Sequence, residues 1–189
     1  YGLNVADFEG IAQPKKGRVL FVGAVGLRKG NPYLAEAARQ LARSHPWIEV
    51  QVVGKYDLDI ISMPAFKGPT YLGAMPRAQV AEAFQEADVF VLPTIADSFA
   101  LVHLEAMAAG VPVITTPHCG STVRDGVEGF IVPIRDARAL TERIIQIVED
   151  RDLRAQMSGA ARKRAAEFSL DQYRSRLLSA VLPILEYRP

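Results

Sequence analysis

Residues 89–115 constrain the fold of this chain more than any other stretch. Two short apolar runs, Val89–Leu92 and residues 111–115, flank a segment of helical composition at 101–110. Continuous apolar runs on either side of a helix read as two parallel strands joined by a crossover, both covered on two faces. The connecting helix is apolar nearly all round (Leu101, Val102, Leu104, Ala106, Met107, Ala108, Ala109), so it is expected to pack inside the domain. One acid, Glu105, sits in its middle. A buried carboxylate without a partner is costly, so Glu105 calls for hydrogen-bond donors from the protein or from a ligand. A second acid, Asp97, lies in the loop before the helix. Such loops, at the carboxyl ends of parallel strands and opening onto helix N-termini, are where open α/β sheets bind ligands, phosphorylated ones above all.

The same alternation extends through the chain. Arg18–Val22 is a buried strand ending at Gly23, and a loop over 23–30 leads to a helix with Asn31 as N-cap and Pro32 as first helical residue. Its apolar face is Leu34, Ala37, Ala38, Leu41 and Ala42, and it ends near His45-Pro46. Glu49–Val53 is a second strand, closed by Gly54; residues 55–69 fit either a short strand or an irregular segment. Residues 70–72 and Gly73 end another strand, and Pro76 opens a helix with Val80, Ala83 and Phe84 inward. Beyond Thr115, a loop over 117–123 and a turn at Asp125-Gly126 precede a strand at 130–132. Asp136 caps a helix facing inward through Leu140, Ile144, Ile147 and Val148, and the next helix faces inward through Leu153, Met157, Ala160, Ala161 and Phe168. Ser169 and Gln172 form a capping box for the last helix, with Tyr173, Leu177, Leu178 and Val181 inward, until Pro183 kinks or ends it. The expected fold is α/β, a doubly wound, Rossmann-like, mainly parallel sheet flanked by helices. Residues 1–17 read as a connector and 18–189 as one domain.

Composition narrows the function. An apolar content of 49% excludes a disordered chain, and 23% charged residues exclude an integral membrane protein. A net charge of +1 provides no long-range field for nucleic acid or an anionic membrane. No apolar run approaches the roughly 20 residues that span a bilayer. The single cysteine, Cys119, cannot form an intrachain disulfide and fits a reducing, cytoplasmic setting; with its neighbour His118 it falls short of the about four ligands zinc takes. The chain opens Tyr1-Gly-Leu-Asn without an initiator Met, which reads as a piece excised from a longer protein.

Two places could carry chemistry. The loop over 23–30 holds Gly23, Gly26 and Gly30, whose backbone N–H groups can approach an anion, with Arg28 and Lys29 beside a helix N-terminus. Its spacing matches neither the Walker A loop nor the dinucleotide fingerprint. A plain strand-to-helix loop with a solvated Arg-Lys pair is the alternative. Glu105 reads either as a buried acid satisfied by a loop amide or an Arg, or as an acceptor for sugar hydroxyls. Asp97 or Ser98 could cap the following helix. His103 reads as a packed helix histidine.

Taken together, these residues resemble the C-terminal, nucleotide-sugar-binding domain of retaining glycosyltransferases of the B-type fold, the group 1 family. The resemblance rests on two acids separated by seven residues in Asp97-Ser-Phe-Ala-Leu-Val-His-Leu-Glu105, continuing to Thr115. It rests also on the loop ending Arg28-Lys29-Gly30, on Tyr71-Leu-Gly73, and on Val123-Arg-Asp-Gly-Val-Glu-Gly-Phe-Ile-Val-Pro133, and it runs from Arg18 to Tyr187. The family pattern has Glu where this chain has Asp97, glycines at Ser98 and Ala100, and Arg at Ala24.

The resemblance implies that Asp97 and Lys29 are the catalytic residues, Lys29 pairing with the donor diphosphate and Asp97 touching the transferred sugar. Glu105 would accept from the ribose hydroxyls, and amides around Ser98, Phe99, Ala100, Leu101 and Val102 would hold phosphates. Gly23 and Arg28 would border the diphosphate, while Gly54, Gly73, Ala74 and Met75 would lie near the base. The implied donor is a UDP, GDP or ADP sugar, with no cofactor and no metal ion. The implied partner is an N-terminal acceptor domain, through which any contact with the inner face of the membrane would run. A non-catalytic scaffold and a nucleotide-sugar epimerase are the rival expectations.

Overall fold

A computed structural model describes residues 2–8, 10, 13–120 and 122–186. Tyr1 of the expected connector, Ser121 of the loop over 117–123 and Tyr187, where the family resemblance ends, lie outside them.

Six strands are described: β1 (Arg18–Val22), β2 (Glu49–Val53), β3 (Thr70–Gly73), β4 (Val89–Leu92), β5 (Val113–Thr115) and β6 (Gly129–Ile131). They form one sheet in the order β3-β2-β1-β4-β5-β6, every pair parallel. Parallel neighbours need crossovers, and α1 (Asn31–Ser44), α3 (Arg77–Glu86) and α4 (Leu101–Ala108) supply them, with a short α2 (Leu58–Ser62) and a 3-10 turn (Pro64–Phe66) between β2 and β3. Residues 55–69 are thus neither a strand nor irregular throughout: they hold an α-helical turn capped by Asp57 and a 3-10 turn. Three helices follow: α5 (Ala137–Glu149), α6 (Arg151–Ala166) and α7 (Leu170–Glu186).

The central strands are buried on both faces, as their unbroken apolar runs require. Val19, Leu20 and Phe21 of β1 and all four residues of β4 are inaccessible. α1 presents Leu34, Ala37, Ala38 and Leu41 inward and packs on α5, while α4 packs on α3 and α6. The strand order reverses direction between β1 and β4, and the loops after these two strands border the crevice that results.

Several local expectations are corrected. Asn31 does not cap α1; Gly30 does, in the left-handed region at φ +74°, because the Asn31 Oδ1 is already taken by the Gly26 N–H at 2.8 Å. Neither Asp97 nor Ser98 caps α4, whose N-cap is Ala100 without a side-chain hydrogen bond. Leu101 of that helix is exposed, while His103 and Leu104 of the same turn are buried. β5 begins at Val113, because the Val111 N–H turns back to the Ala106 carbonyl, and β6 is Gly129–Ile131. α7 continues through Pro183 instead of ending there. Its apolar stripe of Leu170, Tyr173, Leu177, Leu178 and Val181 is exposed, not inward. The Ser169 hydroxyl does accept from the Gln172 N–H, at 3.3 Å.

The N-terminal segment is docked on the domain. Leu3 pairs with the corner between α6 and α7, and Phe8 is buried edge-on to Phe84 of α3, with ring centres 6.0 Å apart.

Candidate functional site

The crevice begins where β1, β2 and β3 end. Gly54 closes β2 in the left-handed region, and a Cβ there would stand 1.9 Å from the Gly23 carbonyl oxygen, so only glycine lets the two strand ends come this close. The Gly54 N–H donates to the Gly73 carbonyl at 2.8 Å, which ties in the third strand end. Above them opens a mainly apolar cavity of about 320 Å³ lined by Gly23, Ala24, Gly54, Lys55, Met75 and Val80 among others. Gly23, Gly54 and Met75 therefore share one wall, with Ala74 beside them. Gly73 is not on the lining itself.

The second part of the crevice is zipped together by the loops after β1 and β4. The Arg28 carbonyl accepts from the Ile95 N–H at 2.8 Å and from the Thr94 hydroxyl at 2.9 Å. Gly30 lies so close to Pro93 that a Cβ would fall 1.8 Å from its carbonyl oxygen. This brings Lys29 onto Asp97 as a direct ion pair, with Arg28 Nη1 at 3.5 Å from the same carboxylate. Asp97 is held from behind by hydrogen bonds to the loop after β5, its N–H donating to the His118 carbonyl at 2.9 Å. Burial pushes the Asp97 carboxyl up, but the Lys29 hydrogen bond and charge, then Arg28 and the Ser98 N–H, outweigh it and leave it below the ordinary aspartate range.

The third part is the first turn of α4. Of the amides the sequence offered to an anion, the Ser98 N–H acts on Asp97 and the Ala100 N–H donates to the Gly120 carbonyl at 3.3 Å. The Leu101 and Val102 N–H groups carry no partner among the described residues, as expected at a helix N-terminus. They add the positive end of a helix dipole to the crevice.

Glu105 completes the arrangement. Its side chain is only 19% exposed, yet no hydrogen bond reaches the carboxylate among the described residues, and the nearest cation, Arg77 Nη1, is 3.9 Å away. Burial pushes this carboxyl up, partly opposed by the Arg77 charge. The donors that the sequence demanded are thus not supplied by the fold. His103, two residues earlier, is buried edge-on to Phe90, and burial holds its ring neutral with a pKa of about 3. Neither ring nitrogen has a hydrogen-bond partner, so it is a packed histidine at a polar cost. Cys119 is buried and free, burial pushing its thiol up, while His118 is exposed.

Sequence reasoning missed Arg77 and Lys55. Lys55 follows the strand-ending Gly54, a position that could have been read as crevice-facing. Arg77 is an ordinary first-turn residue whose approach to Glu105 no spacing announces. Among the described residues no three His, Cys, Asp or Glu side chains are grouped to hold a metal ion, and no helix is long and apolar enough to cross a membrane.

Residues 6–164 match the family model described as glycosyl transferases group 1. A phosphatidyl-myo-inositol mannosyltransferase of Mycolicibacterium smegmatis is 34% identical over 179 residues, covering 88% of this chain and 46% of the relative. The chain thus spans about half the length of the curated relatives it matches. Among solved structures, sucrose-phosphate synthase from Thermosynechococcus elongatus superposes with a TM-score of 0.82 at 26% identity, over 98% of this chain and 52% of that one. Anabaena HepE, in complex with UDP and glucose, gives 0.80 at 18% identity, over 96% and 55%; at that identity the likeness is one of fold.

Proposed function

The chain belongs to the glycosyl transferases group 1 family, and from that premise we propose that it is the donor-binding half of an enzyme moving a sugar from a nucleotide diphosphate to an acceptor with retention of configuration. One observation carries this most: Glu105, on the helix that follows the β4 loop, is only 19% exposed, yet no hydrogen-bond donor among the described residues reaches its carboxylate. A carboxylate in that state gains most from ligand hydroxyls, and adjacent ribose hydroxyls provide two donors to one acceptor group. The cavity of about 320 Å³ takes the base, and the Leu101 and Val102 amides with Lys29 take the diphosphate. A UDP, GDP or ADP sugar fits these parts equally.

In the reaction, negative charge grows on the leaving diphosphate. Lys29 and the α4 N-terminus stabilise that charge, which lowers the barrier to an oxocarbenium-like centre without a cofactor or metal ion. Asp97 faces the transferred sugar from the other side of Lys29. The remaining half of the protein supplies the acceptor site and any membrane contact, and it covers the exposed stripe of α7. One observation favours a non-catalytic scaffold as second reading: Lys29 is already neutralised by Asp97, so an incoming diphosphate must compete with a built-in carboxylate.

The test uses the full-length parent with water standing in for the acceptor. UDP-glucose, GDP-mannose and ADP-glucose are each incubated with enzyme, and the released sugar is followed by NMR before it mutarotates. Release of the α anomer first supports retaining transfer. First release of the β anomer contradicts it, interconversion of intact donors makes the protein an epimerase, and no turnover with any donor leaves the scaffold.

A further inference from the structure

Arg77 stands between the N-terminal segment and Glu105. It opens α3; its Nη2 lies 3.1 Å from Asp7 Oδ2 and its Nη1 3.9 Å from Glu105 Oε1. Its guanidinium carbon sits 4.9 Å from the centre of the Phe8 ring. Asp7 and Phe8 are themselves fixed. The Leu3 N–H donates to the Phe168 carbonyl at 2.9 Å, and the Leu170 N–H returns to the Leu3 carbonyl at 3.1 Å. Phe8 is in the core, and Asn4 Nδ2 donates to Asp7 Oδ1 at 2.6 Å. A guanidinium is a planar fork with donors in set directions. Held on one prong by Asp7 and on its face by Phe8, it can aim the other prong only where the segment lets it.

We propose that Arg77 is a positioning residue for Glu105, steered by the seating of residues 2–8, so that this segment tunes how the crevice receives ligand hydroxyls. That the hydroxyls are those of ribose rests on the donor-site reading above; the coupling of Asp7, Arg77 and Glu105 does not. The other elements packed on α4 provide no substitute. β5 carries no titratable side chain, and Arg162 of α6 is turned to the far end of α4, donating to the Ala109 carbonyl at 3.0 Å. Asp7, which ends a 3-10 turn over Val5–Asp7, is engaged by Arg77. Arg77 alone among the described charged groups acts on the Glu105 carboxyl, against the effect of burial.

The experiment is an NMR titration of the Glu105 carboxyl, identified by its loss in Glu105→Gln and made without nucleotide. It compares the wild type, Arg77→Gln, Asp7→Asn and the double variant. Both side chains lie at the surface, Arg77 being 59% exposed, so neither substitution removes core packing. Arg77→Gln is expected to move the titration upward, and Asp7→Asn to move it in the same direction by less. In the double variant Asp7→Asn is expected to add nothing to Arg77→Gln, which an independent effect of Asp7 would not give. A midpoint unmoved by Arg77→Gln overturns the proposal. So does a downward move in Asp7→Asn, because Asp7 would then compete for Arg77 instead of aiming it. A separate titration of the wild type with UDP and 2′-deoxy-UDP tests the donor-site reading alone, and its failure leaves the coupling standing.

Discussion

The acid at the start of β4 and the acid on the helix after it are treated in opposite ways. Asp88, just before the strand, is inaccessible and surrounded by cations. It accepts from the Gly17 N–H at 3.0 Å and from Arg151 Nη1 at 2.7 Å, and it forms an ion pair with Arg154 Nε at 3.1 Å. Arg154 also donates to the Ala87 and Asp88 carbonyls, both at 3.3 Å. Beyond the other end of the strand, Asp97 is paired with Lys29, and Glu105 on α4 has no hydrogen-bond donor among the described residues. Burial of charge is costly in both places; Asp88 has its partners built in, while Glu105 has none within hydrogen-bond distance among the described residues. The first end therefore holds the fold together, pinning α6 and the start of β1 to β4. The second holds unsatisfied capacity, which is what a binding site needs.

Substitutions can break or sharpen this contrast. Asp88→Ala strands two cations and is expected to cost ~3–5 kcal/mol in urea unfolding, the penalty for removing one partner of a buried pair. Glu105→Gln, on the same measurement at neutral pH, is expected to stay within ~0.5 kcal/mol of wild type or to rise. Equal losses at the two sites would erase the distinction. Lys29→Ala removes a charge-assisted bond worth ~1.5–3 kcal/mol, so UDP affinity by calorimetry is expected to fall about 10–100-fold.

The two crevice acids also differ in the sign of their pH dependence. Asp97 is depressed by its cations, so its contribution to stability is present above the ordinary aspartate pKa of about 3.9 and is lost as pH falls through the lower folded value. Glu105 is raised by burial, so its contribution is present below the ordinary glutamate pKa of about 4.3 and is lost as pH rises through the higher folded value. Stability curves of Asp97→Asn and Glu105→Gln against wild type are therefore expected to diverge with opposite slopes; parallel slopes would contradict the assignment. The smallest effect is expected at His103, whose ring is neutral and unpartnered: His103→Leu should be neutral or slightly stabilising in thermal unfolding.

The parts of the fold carried by burial were readable from the chain. The runs Val19-Leu-Phe21 and Val89–Leu92 have no polar residue to offer solvent, so they belong at the centre of a two-sided sheet, where they are found. The spacing of Leu34, Ala37, Ala38 and Leu41 gave the inward face of α1 for the same reason. What a pattern cannot carry is which partner a group takes. Asn31 looked like a cap, but its side chain serves the loop before it. The stripe on α7 was amphipathic as read, yet amphipathicity fixes a face and not what lies against it. In the site, Lys29 and Asp97 were visible as chemistry in two loops, while their contact depends on the strand order. Arg77 was invisible, because its role comes from two tertiary contacts and not from any spacing.

On the proposed function, the crevice at the ends of β1 and β4 is a nucleotide-diphosphate site built around Lys29 and Glu105. The most direct measurement is an amide NMR titration of this chain with UDP, GDP and ADP in turn, repeated in Lys29→Ala and Glu105→Gln and in the full-length protein. The expected result is saturable shifts at Gly23, Gly54, Leu101 and Val102 that weaken in both variants. Shifts confined to other surfaces, or none in this chain and none in the full-length parent, would contradict it.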